Sequence, residues 1–577
     1  MHRLNAISRS SDAEALATSA RWWIPAALLA IFALQSFWFI GTQSLTYDEP
    51  GHLIAGLEAW QHGRFQMWTD HPPLGRFWLT LPIAAAHVDI TQEQMLRGYR
   101  VTAMRPGPEW LAWHTRPMNT LLGVALGVTL WFATRRLFSE GAANVALALF
   151  AFTPSLIAHF SVTTTDGIGA LFVFLTAYQF VRWRHQPGPK QTVVMGLVLG
   201  GLLLAKLYTP PEALLALLLM FLSRRPGPPT LPAVGPGGLG DCGQRSRLNW
   251  RPALAALGIA LFTFWAGYLF HISHVKVGGG QVVASFPNRP EKIRPTKSAA
   301  HLNVLLPAGE YFEGLREVAI SNRRGRPAWF LGSLFRNGGP KVYYPVVIAL
   351  KWPTTLLVLF IGSLLWGVRK TCRSPSDLLV MNLFGLLFFA FALQSRFTIG
   401  ERHVLPLYPF ALLIAGGIWE HARKHRAAIA VLLLALVLNA ADALRYAPDY
   451  LAYFNVFVKP EDSWLLLTDS NLDWGQGLIA LRNYEQQHPD ETLHLAYFGS
   501  VDPSLYGIRA LPLPPNEVSL PPNEQVKGTV VAGASCLSGQ VLDDPASYYW
   551  LWQGYDGVVW ARQGPVLDHS MWVFDTR

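Results

Sequence analysis

Long apolar runs constrain this chain more than any other feature of its sequence. Lipid leaves no partner for an open backbone, so runs near twenty residues long must fold as helices. They recur at roughly 22–41, 117–134, 142–160, 167–182, 191–206, 210–223, 252–272, 342–367, 376–394, 404–420 and 427–444. With 51% of its residues hydrophobic and only 15% charged, the chain reads as a polytopic membrane protein. The expected fold is mainly α, with about eleven transmembrane helices. The first run lacks a small-residue cleavage site before the polar stretch that follows, so it is expected to stay as a span.

Charge gives orientation. Cytoplasmic loops collect Lys and Arg. With the N-terminus inside, the inner segments are "ATRRLFSE", "VRWRHQPGPK", "SRRPG…CGQRSRLNWR", "GVRKTCRS" and "EHARKHR", all basic. The short outer turns "SVTTTDG" and "KLYTPPE" carry only Asp166, Glu212 and Lys206. The net charge of +10 is therefore topological and calls for no nucleic-acid partner. The expected location is a bacterial cytoplasmic (inner) membrane, with the N-terminus cytoplasmic and the C-terminal part periplasmic or extracytoplasmic.

The polar remainder divides into a long first outer loop at 42–116, a Pro/Gly-rich inner loop at 225–250, a second long outer loop at 273–341 and an outer tail at 445–577. The division expected is a membrane catalytic domain over 1–444 and a small α/β outer domain over 445–577. In the tail, "SWLLLTDSN", "TLHLAYFG" and "GTVVAGASCL" read as strands and "GQGLIALRNYEQQH" as an amphipathic helix. In the first loop, "PGHLIAGLEAWQHG" and "PPLGRFWLTLPIAAAHV" read as helices lying in the interface. Of the three cysteines, Cys242 and Cys372 fall inside and Cys536 outside, so three free thiols are expected.

Sorted by side, the ionisable residues gather outside: Asp48 and Glu49 after the first run, Asp166 at the start of another, and Glu401, Arg402 and His403 before the tenth. Such groups at a membrane boundary need partners or a task. Each also has a plain structural reading. "TYDEPGH" could cap a helix beginning near Pro50, "TTTDG" could cap the next span, and "GERHVLP" could be an anchor of snorkelling cations. Lys351 lies about 13 Å along its run, deeper than an anchor needs.

The motifs "TYDEPGHLIAG", "TDHPPLGRFW", "TTTDG", "YYPVVIALKWP", "GERHVLPLYPF", "YLAYFN" and "DSNLDWGQGL", in that order, resemble the GT-C glycosyltransferases that use lipid-linked sugars. Within that superfamily the chain resembles bacterial phospholipid-carrier-dependent enzymes related to the protein O-mannosyltransferases and aminoarabinose transferases. The resemblance implies sugar transfer, with inversion, from a polyprenyl-phosphate donor to a protein, lipid or glycan acceptor on the outer face. It implies Asp48 as the base, with Glu49 orienting it. It further implies Asp166, Lys351, Arg402, His403 and His71 as residues that bind substrate or donor phosphate. No metal or other cofactor is required on this reading, although Asp48, Glu49 and Asp166 could gather around a divalent cation. "DSNLDWGQGL" could bind acceptor or sugar, or cap the helix that follows it.

Rival readings are a transporter or flippase, and a ligase or polymerase acting on carrier diphosphates. The first should place charges near the midplane and show related halves. The second does not predict an acidic pair after the first span.

Overall fold

In the computed structural model, residues 22–86, 88–95, 98–223, 250–288, 291–298, 301–515, 526–542, 544–552 and 561–576 are described. The N-terminal segment, most of the inner loop 225–250 and Cys242 lie outside them; Cys372 and Cys536 are buried free thiols.

Helices cover the apolar runs, as a chain in lipid requires. Five of them, Trp23–Thr42, Pro108–Leu137, Pro375–Ala392, Glu401–Ala422 and Arg426–Arg445, are long and apolar enough to cross a membrane. A bent pair, Tyr343–Lys351 and Thr354–Leu365, raises that number to six if counted as one span. The protein is thus a mainly helical, multi-pass membrane protein, in which several runs are broken where the sequence suggested continuous spans.

The breaks have identifiable causes. Pro353 cannot continue the hydrogen-bond ladder, and the helix turns there by 111°. The carbonyls it leaves unpaired are taken up by Asn455 of "YLAYFN", whose Nδ2 donates to Ala349 O (2.6 Å) and Trp352 O (3.0 Å). The run at 142–160 likewise splits into Glu140–Ala151 and Pro154–His159. There Gln35 donates to Ala151 O (2.9 Å) and Asn439 to Phe152 O (3.0 Å).

The second outer loop is more ordered than its composition suggested. It folds as a four-stranded antiparallel sheet in the order Lys292–Pro295, Gln281–Ser285, Ile272–Gly278, Leu302–Pro307, followed by the helix Gly309–Arg324. Gly314 lets that helix press on the backbone of Thr69, where a Cβ would collide with the carbonyl oxygen. The first loop contains the helices Glu49–His62 and Pro73–Ala84 and the hairpin Asp89–Met95/Gly98–Arg105.

The tail forms a mixed five-stranded sheet in the order Leu511–Leu513, Leu493–Ala496, Thr529–Gly533, Met571–Asp575, Arg562–Leu567. The helix Leu478–Gln487 precedes it, where the sequence placed one. "SWLLLTDSN" is not a strand. Pro460 opens a turn that continues as the short helix Ser463–Leu466, and only Leu467 makes a β-bridge, to Phe330. The tail shares an apolar core with the first loop, in which Leu45, Leu53, Val101, Leu478, Leu493 and Val531 are buried together. At about 1.5–3 kcal/mol per buried aliphatic side chain, this contact fixes the tail against the start of the chain.

Candidate active site

Asp48 occupies the N-cap position of the helix Glu49–His62, yet its side chain makes no capping hydrogen bond. It accepts a short hydrogen bond from Arg402 Nη1 instead. The capping reading of "TYDEPGH" is therefore wrong for Asp48, and its carboxylate is aimed across the molecule to the start of another span.

Around this pair the structure gathers an ionic cluster. Arg402 Nη1 lies 3.8 Å from Asp166 Oδ2, and Lys206 Nζ lies 2.8 Å from Asp166 Oδ1. Asp166 begins the helix Asp166–His185, whose N-cap residue, Thr165, makes no side-chain capping bond. Lys206 follows the last residue of the helix Pro189–Ala205, where Thr209 Oγ1 donates to its carbonyl (2.7 Å). His71 closes the ring of groups: its Nδ1 is 3.0 Å from Thr165 Oγ1 and 3.5 Å from Lys206 Nζ. Burial, with Lys206 and His52 nearby, pushes the imidazole of His71 well below its ordinary pKa, so it stays neutral. His403 stands beside Arg402 in the field of Asp166 and Lys206.

One end of "DSNLDWGQGL" roofs the cluster. The Arg402 guanidinium lies over the Trp474 ring, 4.1 Å from its centroid, a cation–π contact that keeps the fork flat. Gly475, with φ +87°, turns the chain immediately after that tryptophan. Asn471 Oδ1 accepts from Glu401 N (2.9 Å) and Ser470 Oγ donates to Ile399 O (2.8 Å), so this segment is tied to the residues just before Arg402. Asp469 is buried, with a left-handed backbone, and accepts from Ser470 N (2.6 Å) and Gln540 Nε2 (3.2 Å). Burial, opposed by Arg402 and helped by Asp48 and Asp473, pushes its carboxyl up to about 7. The helix Leu478–Gln487 has Gly477 at its N-cap with no side-chain bond, so the motif does not cap it.

Polar atoms of the cluster are left without protein partners. Buried, with no hydrogen bond among the described residues, are Asp166 Oδ2, Arg402 Nε, His403 Nε2, His52 Nδ1, His159 Nδ1 and Thr164 Oγ1. Orphaned polar atoms are rare in native proteins, and a group of them marks a place where a polar ligand completes the bonding.

Glu49, one residue from Asp48, points the other way. Its carboxylate accepts from Arg116 Nε (2.9 Å) and Nη2 (2.8 Å), Thr163 N (2.6 Å) and Thr46 N (2.7 Å). Burial opposes ionisation here, but Arg116 and the two backbone amides outweigh it and hold the carboxyl below its ordinary pKa. Arg116 also donates to Gln43 O and Ser44 O at 2.7 and 2.6 Å. Glu49 is fully buried and fully bonded, so it positions the loop that carries Asp48 and does not reach a reacting atom. Turned away, it cannot share a cation with Asp48 and Asp166. "SVTTTDG", read as a short turn, is buried for the same reason: Thr163 serves Glu49, and Asn119 Nδ2 donates to Val162 O (2.6 Å).

Lys351 also departs from expectation. Its Nζ donates to Asn471 O (2.6 Å) and Leu451 O (3.1 Å), lies 4.0 Å from Glu401 and faces the Phe454 ring at 4.7 Å. Those bonds staple the tail to the bent helix pair and use two of the three ammonium hydrogens, with Glu401 and the Phe454 ring also facing the group. The cation at the cluster is Lys206. The sequence held its signal: it is the single lysine in a short outer turn, where lysines are scarce.

Residues 111–230 match the family model described as dolichyl-phosphate-mannose-protein mannosyltransferase. This agrees with the resemblance read from the motifs, and the matched segment carries Arg116, Thr163, Asp166 and Lys206. No curated protein matches the chain by sequence. Among solved structures, ArnT from Cupriavidus metallidurans bound to undecaprenyl phosphate is 14% identical, with a TM-score of 0.45 and coverage of 97% of this chain and 98% of that one. The S. cerevisiae protein O-mannosyltransferase complex bound to the sugar donor is 12% identical, with a TM-score of 0.48 and coverage of 74% and 90%. The oligosaccharyltransferase AglB from Archaeoglobus fulgidus, in complex with an inhibitory peptide and a dolichol-phosphate, is 11% identical, with a TM-score of 0.40 and coverage of 94% and 73%.

Proposed function

We propose that the protein is a membrane glycosyltransferase that moves a sugar from a polyprenyl-phosphate donor to an acceptor hydroxyl or amine, with inversion, at the outer face of the membrane. The observation that carries this reading is the juxtaposition of a carboxylate, Asp48, with Arg402 and Lys206 in a group of buried polar atoms that lack partners. Such a reaction needs a base for the acceptor proton and positive charge for the departing phosphate. Asp48 is the base. Its side chain is 17% exposed against 4% for Asp166, so it is the carboxylate an acceptor can reach. Arg402 and Lys206 receive the lipid phosphate, the first as a planar fork and the second as a point charge. A phosphate that draws Arg402 towards itself loosens the bond to Asp48 and frees the base, which links donor binding to proton removal. Asp166 holds both cations in place, and His71 and His403 offer hydrogen bonds to the sugar. No cofactor is required on this reading.

The matched family description names a dolichyl-phosphate-mannose donor and a protein acceptor, so mannose and a peptide are the first sugar and acceptor to try. The test is transfer of radiolabelled sugar from polyprenyl-phosphate donors in membranes carrying the wild-type protein or Asp48→Asn. Transfer by the wild type and its loss in the variant are expected. Equal transfer by both would remove Asp48 from the reaction.

A further inference from the structure

Between Val318 and Lys341 the chain contains Arg323, Arg324, Arg326, Arg336 and Lys341 and no acidic residue; Arg396, in the acid-free stretch 393–400, is its neighbour in space. All these cations are exposed. The segments are joined: Arg326 N donates to Arg396 O (3.3 Å), Arg396 Nη1 to Arg323 O (3.0 Å) and Gly339 N to Thr398 Oγ1 (2.6 Å). Arg323 and Arg324 end the helix Gly309–Arg324, where the helix dipole favours cations. That account does not extend to Arg326, Arg336, Lys341 or Arg396.

The patch has a fixed height relative to the membrane. Lys341 comes just before the bent apolar pair that starts at Tyr343, and Arg396 just after the candidate span Pro375–Ala392. Arg402, in the candidate active site, is at the start of another candidate span. Exposed apolar side chains stand among the cations: Leu331 and Phe335 on the hairpin Ala328–Phe330/Ser333–Phe335, and Val342. Cations fringed by apolar groups at the end of spans match a surface that is anionic above and hydrocarbon below.

We propose that this collar is a docking surface for the head groups of acidic phospholipids in the leaflet at which the site opens. The cations face lipid phosphates, and the hairpin tip sits among the outermost acyl carbons. Docking holds the segment from Arg316 to Lys341 beside the site, because Gly314 of the same helix is pressed on Thr69, two residues from His71.

The test uses the full-length protein reconstituted in vesicles and reads backbone hydrogen exchange in residues 318–341, so it does not depend on any transferase activity. In vesicles with about one third phosphatidylglycerol, exchange should be roughly threefold slower than in pure phosphatidylcholine, and high salt should abolish the difference. Combined Arg323→Gln, Arg324→Gln and Arg336→Gln substitutions should remove the slowing and leave exchange in the tail strands unchanged. Equal exchange of the wild type in the two vesicles would overturn the proposal, as would the same slowing in the variant. An acidic peptide that slows exchange in neutral vesicles as strongly as phosphatidylglycerol does would also overturn it, by reassigning the collar to a protein partner.

Discussion

Two buried ionic clusters begin at neighbouring residues and are built on opposite plans. Glu49 and Arg116 form a closed pair, in which the carboxylate and guanidinium are matched by each other and by backbone groups. Asp48, Arg402, Asp166 and Lys206 form an open one, in which cations and acids are paired but polar atoms remain unmatched. A closed pair contributes geometry and an open one leaves bonding capacity for something else. The difference lies in the partners: Arg116 has the Gln43 and Ser44 carbonyls at hand, whereas Arg402 meets two carboxylates and the Trp474 ring.

The sharpest way to break this comparison is to exchange the consequences of the two acids. Asp48→Asn keeps size and polarity, so transfer should fall about 10²–10⁴-fold, or roughly 3–5.5 kcal/mol in barrier, while the melting temperature of purified protein hardly moves. Glu49→Ala should act on folding, because it strands the buried Arg116 guanidinium; a loss of about 3–5 kcal/mol is expected in denaturant unfolding in detergent. If Glu49→Ala folded normally and lost only turnover, the closed cluster would belong to the reaction.

Lys206→Met separates the assignments of the cations. Transfer should drop roughly a hundredfold, with weaker binding of polyprenyl phosphate in a filter assay. Lys351→Met should leave phosphate binding unchanged and lower stability instead. The reverse pattern would return the phosphate role to Lys351.

The smallest effect concerns the roof. The folded-state carboxyl of Asp469 is raised from 3.8 to about 7, so between those values the folded protein holds a proton that the unfolded chain has released. Stability from this group is therefore present at low pH and declines as pH rises towards 7. In Asp469→Asn that decline is absent, so the stability of the variant relative to wild type should rise steadily across the window, followed as melting temperature against pH. A flat difference would show that Asp469 is ionised throughout.

Much of this was legible in the sequence, for physical reasons that also mark where legibility ends. Apolar length gave the helices, but not that Asn455 would complete the backbone of a bent pair far from it in sequence. Residue type and side of the membrane singled out Asp48, Asp166, Arg402 and His403, and the resemblance added His71; the structure brings these together. The same reasoning could not tell Glu49 from Asp48, because the direction of a side chain in a first helical turn is set by a partner elsewhere. The carbonyl partners of Lys351 could not be foreseen, because a buried ammonium bound by carbonyls and one bound by phosphate look alike in a sequence. Lys206 was passed over because its turn looked short and exposed, although Asp166 needed a cation there. The sheet in 272–307 has exposed, weakly alternating strands, and such strands carry little hydrophobic period.

The roof formed by Trp474 and the core shared by the tail and the first loop bear on how the protein is made. Asp48 emerges early in synthesis, Arg402 late, and the tryptophan over which the guanidinium lies later still. During most of translation and insertion the first outer loop therefore has its closed ionic pair available through Arg116, while its open cluster has no counter-charge from Arg402. Assembly of the open cluster thus waits on residues far along the chain, and a protein truncated before Arg402 carries Asp48 without that partner.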